Sequence, residues 1–320
     1  MRPLFLWIFI FLAGCGSATS EDFASAPANA SENISALSTA DPTEATTDKE
    51  WFRIVVLDVG QGDATLLIAP TGETALIDTG PPEKGPPAVA AAMQEMDLKK
   101  IDTIFISHHH LDHIGGLKDI LEKPWASSAK VIDKTDAMVG STIHVGNVVV
   151  HIEAANARIG NNTPPPNSQA DENNLSLALL IEFGQFRYFT DGDLPGGGGS
   201  PPYQTIDLET PLAPLIGDID VMLVPHHGSH TSSNANFLSV LKPKVAILSV
   251  GNDNDYYHPH PSTISHLKKI GAKIFQTERG SLKNREGVEV VGGSICILSD
   301  GVDYFVKAYA VDKCAPGPVE

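Results

Sequence analysis

Histidines are concentrated in three short segments of this chain. Nine of the twelve lie in HHHLDH (108–113), HHGSH (226–230) and HPHP (258–261). Alternate side chains of an extended segment point the same way, so we expect His108 and His110 to converge on one cation. Asp112 and His113 would face a second cation as the chain enters its next helix. Imidazole and carboxylate are ligands that Zn²⁺, Mn²⁺ and Fe accept, so this spacing predicts a site for divalent metals.

The first histidine segment also resembles a family signature. His108-x-His110-x-Asp112-His113, followed by Ile114-Gly115-Gly116, is similar to the metal-binding motif of the metallo-β-lactamase superfamily. Further segments in the same order are LDVGQGDATLL (57–67), LIDTG (76–80), ENNLSLALLIEFGQFRYFTDGDL (172–194), VPHHGS (224–229) and LSVGNDNDYYHPHP (248–261). Together they resemble the extracellular hydrolase domain of the ComEC/Rec2 competence proteins and its stand-alone relatives, over nearly all of residues 55–280.

The resemblance implies an α/β fold, a four-layer αβ/βα metallo-β-lactamase sandwich with metals at one edge. In the family pattern, the Asp of a TGD-like turn bridges the metals, and this role would fall to Asp193. Asp191, inserted ahead of Gly192, is a rival for that role. Asp78 resembles the carboxylate that orients a ligand histidine by accepting its free N–H. Asp63 beside Gly62 is equally well explained as a turn residue.

The chain departs from the superfamily pattern in its metal ligands. Many members supply another histidine where this chain reads Asn173-Asn174-Leu175-Ser176, and one more near Ser249. The departure implies that one metal position is weaker or is filled by His226, His227, His258 or His260. We expect His227 to be a ligand and His226 to be its neighbour or a proton donor. For His258 and His260, a polar loop fixed by proline remains an alternative.

The resemblance implies hydrolysis with two divalent cations, Zn²⁺ or Mn²⁺. Two cations that share a water lower its pKa towards neutrality, so metal-bound hydroxide is available without a strong base. Asp112 and His226 are the expected catalytic groups, since a His or Asp can protonate the leaving oxygen. ComEC-like relatives are associated with nuclease or phosphodiesterase activity, which favours a phosphodiester. Two alternatives stay open: a β-lactam or lactone hydrolase, and a non-catalytic envelope lipoprotein assisting DNA uptake.

The overall charge argues against tight binding of long nucleic acid. The formal net charge is −17, and no stripe of Lys and Arg is visible in the sequence. A protein that grips a phosphate backbone normally carries such a stripe. We therefore expect either a small phosphodiester substrate or nucleic acid bound only weakly. The sequence identifies no protein partner.

The N-terminal region is typical of an exported lipoprotein. Residues 1–15 contain an early Arg2, an apolar run and Leu12-Ala13-Gly14-Cys15, which resembles a lipobox. We predict a lipoprotein signal peptide over 1–15 with lipidation at Cys15, a flexible polar tether over 16–50 and a hydrolase domain over 51–320. Plain cleavage without lipid is the alternative. The predicted location is the periplasmic or extracellular face of the envelope, with the lipid as the only membrane attachment.

Hydrophobic patterning supplies the elements that must position the histidines. It predicts three strands within 51–78, a strand over 101–107 that leads into the first cluster, and later strands over 174–183, 185–191, 219–224 and 244–250. Predicted helices cover 87–98, 115–121, 234–241 and 262–270. Such alternation favours sheets sandwiched between helices. Cys296 and Cys314 could form a disulfide, or Cys296 could be buried in a strand with Cys314 free.

Overall fold

The computed structural model describes residues 50–201, 204–252, 254–281, 283 and 286–316. The predicted signal peptide, Cys15 and the tether up to residue 49 lie outside these residues, so the statements about them stay predictions. In the described part of the chain, no helix is both long and apolar enough to cross a bilayer.

Eighteen strands form within the described residues. They are β1 Phe52–Val56, β2 Thr65–Ile68, β3 Thr74–Ile77, β4 Thr103–Ile106, β5 Lys130–Asp133, β6 Thr142–Val145, β7 Val148–Ala155, β8 Arg158–Ile159, β9 Ala178–Phe183, β10 Phe186–Thr190, β11 Gly196–Gly198, β12 Thr205–Asp207, β13 Val221–Leu223, β14 Val245–Leu248, β15 Lys273–Gln276, β16 Val288–Val290, β17 Ile295–Ser299 and β18 Tyr304–Ala308. The α-helices of the same part are α1 Gly85–Glu95, α2 Leu111–Ile114, α3 Leu117–Leu121, α4 Glu209–Ile216, α5 Ala235–Leu241 and α6 Pro261–Lys269.

Two large sheets organise these strands. The first has the order β18-β17-β1-β2-β3-β4-β5, and the second runs β16-β15-β14-β13-β10-β9-β7-β6, with β8 paired to β7. Strands β3 to β5 pair in parallel in the first sheet, as do β10 and β13 to β16 in the second. The parallel parts require crossover connections, and these contain the helices.

Three apolar clusters define the layers. The central cluster combines residues of both sheets, including Phe52, Phe105, Tyr188 and Phe275, so the sheets pack face to face. The outer face of the first sheet packs against residues of α1 and α3, and that of the second sheet against residues of α4, α5 and α6. Strands covered on both faces read as continuous apolar runs, as in β4. The predicted four-layer αβ/βα sandwich is confirmed.

Two local elements differ from the patterning prediction. The strand expected from Asn174 begins only at Ala178, because Glu172–Leu175 forms a single 3-10 turn whose first residues are held by Asp171. The Asp171 carboxylate accepts a hydrogen bond from the Asn173 backbone N–H at 3.1 Å. Helix α4 was not predicted, because its Pro211 and Pro214 break the expected helical signal.

The C-terminal segment is fastened to the first sheet by a disulfide. Cys296 on β17 is bonded to Cys314, with their Cα atoms 5.6 Å apart. The same segment supplies the partners of Lys307, whose side chain is almost fully buried. Its ammonium forms an ion pair with Asp312 and donates to the Ala315 carbonyl oxygen. The segment therefore satisfies a buried charge that would otherwise be costly.

Reduction of this disulfide is expected to lower the free energy of unfolding by about 3 kcal/mol. The bond closes a segment with a sequence separation of 18, and closing a segment of that size restricts the unfolded chain by roughly that amount. Denaturant unfolding of the oxidised and the dithiothreitol-treated protein measures the difference. In the Cys314→Ala variant, dithiothreitol should have no effect; an equal effect there would contradict this origin.

Candidate metal centre

The predicted site residues meet at one edge of the two sheets. Asp78 follows β3, His108 follows β4, Asp193 follows β10 and His227 follows β13. Since the carboxyl ends of neighbouring parallel strands lie at the same edge of a sheet, loops that follow them converge there. Segments more than a hundred residues apart along the chain thus contribute to one cluster.

Asp193 lies between two groups of imidazoles. Its Oδ1 is 3.2 Å from His113 Nε2 and 3.8 Å from His227 Nε2. Its Oδ2 is 3.7 Å from His108 Nε2 and 3.5 Å from His226 Nε2. The two carboxylate oxygens therefore face different sets of nitrogen atoms, an arrangement suited to a carboxylate shared by two cations.

The first ligand group consists of His108, His110 and Asp193. His108 Nε2 and His110 Nδ1 are 3.0 Å apart. His108 is fully buried, whereas His110 is exposed to the cleft. His226 Nε2 lies 3.5 Å from the Asp193 oxygen that also faces His108, but His226 is not among the three side chains of this group.

The second ligand group is built from His113, Asp193 and His227, with Asp63 clustered beside them, and all four residues are buried. Asp112 approaches it from the cleft, with Oδ2 3.4 Å from His227 Nε2 and 4.0 Å from His113 Nε2. Atoms bound to one ion at about 2.1 Å are separated by roughly 3 to 4 Å, which matches these distances. The Nε2 atoms, Asp112 and Asp193 can thus converge on one cation.

Buried polar atoms without partners test whether a metal fits here. Among the described residues, His113 Nε2, His227 Nε2 and Asp193 Oδ1 are buried and have no hydrogen-bond partner. Buried polar atoms normally have a partner, because leaving one unpaired is costly. All three atoms face one another within the second ligand group, and a divalent cation would satisfy them together. The donor set therefore fits a metal.

The Nδ1 atoms of His113 and His227 have hydrogen-bond partners in the surrounding chain. His113 Nδ1 is 2.8 Å from Asp78 Oδ2, and Asp78 also accepts hydrogen bonds from the Ser107 backbone N–H and hydroxyl. His227 Nδ1 donates to the Ser249 carbonyl oxygen at 3.0 Å. These contacts fix the tautomers and leave each Nε2 free for a metal.

Asp63, for which the sequence left a turn and a functional role equally open, lies on the Nδ1 side of the same two histidines. Its Oδ1 is 3.4 Å from His227 Nδ1, and its Oδ2 is 3.9 Å from His113 Nδ1. It is only 4% exposed, and Oδ1 has no hydrogen-bond partner. A carboxylate in this position compensates positive charge on the imidazoles. The available sequence signal was an Asp directly after Gly62, at the end of a turn that precedes a buried strand.

Asp191, the rival that the sequence offered for the bridging role of Asp193, belongs to neither ligand group. Its side chain is fully buried, and both carboxylate oxygens lack hydrogen-bond partners. Burial raises its pKa well above the usual value, and the nearby carboxylates of Glu209 and Asp193 raise it further. The geometry thus brings Asp193, and not Asp191, between the imidazoles.

His258 and His260 lie beside the metal centre and belong to neither ligand group among the described residues. The His258 ring is 5.3 Å from that of His226, and its Nδ1 is 3.4 Å from Gln61 Nε2. His260 is the N-cap residue that precedes α6, and its ring is 4.5 Å from that of His230. Both histidines line cavities next to the centre.

Charge is divided unevenly among the imidazoles. Burial alone would lower the pKa of His113, but the carboxylates of Asp193 and Asp78 outweigh it and raise that pKa well above its usual value. Burial would also lower the pKa of His227, but the carboxylates of Asp63 and Asp193 outweigh it and raise that pKa well above its usual value. Burial and neighbouring imidazoles lower the pKa of His108 and of His226, so these two are neutral at physiological pH.

The imidazoles lower the pKa values of the carboxylates Asp193 and Asp112. Burial would raise the pKa of Asp193, but His226, His113 and His227 hold it well below the usual value. For Asp112, burial is outweighed by a hydrogen bond with His227 and by the charge of His113, which together lower its pKa strongly. Both carboxylates are therefore ionised at neutral pH and can bind a cation.

Metal affinity is expected to increase with pH until the pH passes the raised pKa values of His113 and His227. The raised pKa values of His113 and His227 stabilise the metal-free fold below the unfolded value of 6.5, and this contribution is lost as the pH passes through the raised values. A cation must displace both protons, so protons compete with it. Titration calorimetry in buffers of different ionisation enthalpy measures the protons released; pH-independent affinity with no release would contradict the assignment.

A cleft of about 750 Å³ opens over the ligand groups. Asp112, Asp193, His226 and His227 line its floor together with His110. The remaining lining residues include Gln61, Pro81, Pro82, Glu83, Leu111, Asn173, Tyr256 and His258. Asp112 and His226, the expected catalytic groups, keep side-chain exposures of 30% and 21%. A substrate in this cleft would contact them directly.

One family model and several curated proteins match most of this chain. Residues 57–251 match the family model described as the metallo-beta-lactamase superfamily. ComE operon protein 3 of Bacillus subtilis is 27% identical over 72% of this chain and 33% of its own length. Recombination protein 2 of Haemophilus influenzae is 28% identical over 72% of this chain and 28% of its own length. The chain spans about a third of the length of these curated relatives.

Solved structures with a similar fold include two of low sequence identity. The metallo-beta-lactamase fold protein YhfI from Bacillus subtilis has a TM-score of 0.46 and 10% identity, covering 71% of this chain and 98% of that one. CmlA, a diiron beta-hydroxylase from Streptomyces venezuelae, has a TM-score of 0.43 and 15% identity; the match covers 71% of this chain and 52% of the CmlA chain.

Proposed function

Because this chain belongs to the metallo-β-lactamase superfamily, we propose that it is a metal-dependent hydrolase that cleaves phosphodiester bonds. The observation that supports the proposal most strongly is the position of Asp193, whose two oxygens face separate sets of imidazoles. The choice of a phosphodiester rests on the relative named Recombination protein 2, because recombination is a process that involves DNA.

The proposed centre holds two divalent cations, Zn²⁺ or Mn²⁺. Bound cations would lower the pKa of a shared water and stabilise negative charge on the attacked phosphate. Asp193 would hold both cations at a fixed separation, and Asp112 would bind the cation next to His113 and His227. Asp78 and the Ser249 carbonyl would keep those two imidazoles oriented.

His226 is the proposed proton carrier. It borders the cleft as a neutral imidazole, because burial and nearby imidazoles lower its pKa. Its Nδ1 lies 3.5 Å from the Thr231 hydroxyl, which restrains the ring. From this position it can accept a proton from the attacking water and deliver it to the leaving oxygen. If His226 instead completes the first ligand group, its replacement lowers metal content rather than kcat alone.

The decisive experiment compares substrates and metals in parallel. The full-length protein is stripped of metal, reloaded with Zn²⁺ or Mn²⁺, and assayed on bis-p-nitrophenyl phosphate, a single-stranded oligonucleotide and a chromogenic β-lactam. We expect two metals per chain and metal-dependent cleavage of the phosphodiesters. Faster turnover of the β-lactam would favour the lactamase alternative. Absence of turnover with two metals bound would favour the non-catalytic lipoprotein.

We also propose that the protein is an exported envelope lipoprotein attached through Cys15. The lipobox-like sequence LAGC supports this proposal. Expression with a labelled fatty acid should label the wild-type protein and not the Cys15→Ser variant, which should leave the membrane fraction. Equal labelling of both proteins would contradict lipidation at this position.

A further inference from the structure

Two adjacent tyrosines beside the metal cleft are unusually exposed. Tyr256 is 63% exposed and Tyr257 is 74% exposed. Tyr256 lines the metal cleft, and the loop that carries both tyrosines connects β14 to α6. Exposed aromatic rings next to a polar site are more typical of a binding surface than of a solvated loop.

The ring of Tyr256 is already part of a stack. It lies parallel to the His258 imidazole, with ring centroids 5.6 Å apart and an interplanar angle of 25°. His258 is in turn held by Asn254, whose side chain accepts a hydrogen bond from the His258 backbone N–H and donates one to its carbonyl oxygen. One side of Tyr256 is therefore covered and fixed, and the exposed remainder is available to another flat ring.

Tyr257 lines a neighbouring cavity of about 590 Å³. That cavity is lined by apolar groups of Pro259, Pro261 and Ile264 and by the cation of Lys268. Tyr257 itself has φ of +61°, a conformation that bulky residues rarely adopt and that the surrounding loop must enforce. The backbone that presents Tyr257 next to Tyr256 is thus set by the loop.

A third cavity, of about 450 Å³, borders both of these regions. It shares His226, Tyr256 and His258 with the metal cleft and His260 with the cavity of Tyr257. The metal cleft, this cavity and the cavity of Tyr257 are therefore neighbours, with Tyr256 lining the first two and Tyr257 and Lys268 lining the third. Lys268 supplies positive charge in the cavity of Tyr257, and a bound cation would supply it in the metal cleft.

We propose that Tyr256 and Tyr257 form a stacking platform for unpaired bases of a single-stranded nucleic acid. The inference rests on the proposed function, since the phosphodiester of that strand would occupy the metal cleft. The platform complements a chain of flat bases joined by phosphates. Stacking is insensitive to salt and to base identity, which suits a protein whose net charge of −17 provides little general attraction for phosphates. Bases paired within a duplex are stacked on each other and cannot use it.

The test measures both binding and turnover with the metal-loaded, full-length protein. The ligands are a labelled single-stranded oligonucleotide, an abasic oligonucleotide of equal length and charge, and the corresponding duplex. Proteins compared are the wild type, Tyr256→Ala, Tyr257→Ala and the ring-preserving Tyr256→Phe. Val302→Ala is the control, because Val302 is similarly exposed at 65% but lines a cavity that contains none of the site residues.

Each alanine variant should bind the single strand roughly 5- to 100-fold more weakly, which is the effect expected from one lost base–aromatic stack. Tyr256→Phe and Val302→Ala should bind as the wild type does. Binding of the abasic strand and the duplex should be weak in the wild type and equal in all variants. For turnover, the ratio of kcat/KM for the single strand to that for bis-p-nitrophenyl phosphate should fall by the same factor.

The outcomes separate this inference from the proposed function. Equal binding of the intact and abasic strands by the wild type, or unchanged binding in both alanine variants, would overturn the platform. Failure of the wild type to bind the single strand at all would do so as well. Tyrosine-dependent binding without cleavage of any phosphodiester would support the platform and overturn the hydrolase assignment. Cleavage of bis-p-nitrophenyl phosphate by a protein whose binding of the single strand does not depend on the tyrosines would support the hydrolase assignment and overturn the platform.

Discussion

Replacement of Asp193 by asparagine is expected to reduce kcat/KM for bis-p-nitrophenyl phosphate by about 10³-fold or more. The amide retains the shape of the side chain but removes the negative charge that faces both sets of imidazoles. Loss of shared metal binding forfeits several kcal/mol of transition-state stabilisation, and each 1.36 kcal/mol corresponds to a factor of about ten. Metal content, measured by mass spectrometry, should fall below two per chain.

Asp119→Asn is the matched control for this prediction. Asp119 is an exposed carboxylate on α3 and has no contact with either ligand group. It should retain wild-type metal content and activity. Circular dichroism should show that both variants are folded. An Asp193→Asn enzyme with two metals and wild-type turnover would remove the bridging role from Asp193.

Gly62→Ala is expected to produce the second large loss, roughly 10²-fold in kcat/KM. Gly62 has φ of +142°, and an added Cβ would lie 2.4 Å from the carbonyl oxygen of Asp112. The neighbouring Asp63 backbone N–H donates to that same oxygen at 3.1 Å. The turn must therefore move away from α2, shifting both Asp112 and Asp63. A displacement of about 1 Å at a catalytic centre is enough for an effect of this size.

Gly72→Ala separates crowding from backbone strain. Gly72 also has a positive φ, +99°, but an added Cβ there would meet nothing within 4 Å. We expect it to lower the free energy of unfolding by about 1 to 2 kcal/mol with unchanged metal affinity and turnover. Gly62→Ala should also weaken metal binding by at least tenfold in calorimetry. Equal turnover in the two variants would show that contact with Asp112 does not matter.

Much of the architecture was predictable from local patterning. β4 is an apolar run bounded by polar residues, and α5 is preceded by Asn234, whose side chain accepts a hydrogen bond from the Phe237 N–H. The central strands are covered on both faces, and that burial requires a continuous apolar segment. Patterning failed where other interactions prevailed: α4 tolerates Pro214 because its apolar face is buried, and Asp171 holds residues 172–175 in a turn.

The sequence by itself determined which residue types could bind metal. HHHLDH has alternating side chains that must share a direction wherever the chain is extended, and this is a property of the local backbone. The family resemblance also pointed to Asp193 and to the HHGS pair. These features do not depend on knowing how distant segments meet.

Only the tertiary structure decided how the ligands are distributed. Asp191 and Asp193 are two residues apart and chemically identical, yet only Asp193 lies between the imidazoles. The role of Asp63 behind the histidines and the bond between Cys296 and Cys314 likewise depend on contacts between segments remote in sequence. Such contacts follow from the packing of two sheets, which places loop ends together in space and leaves no local signature in the chain.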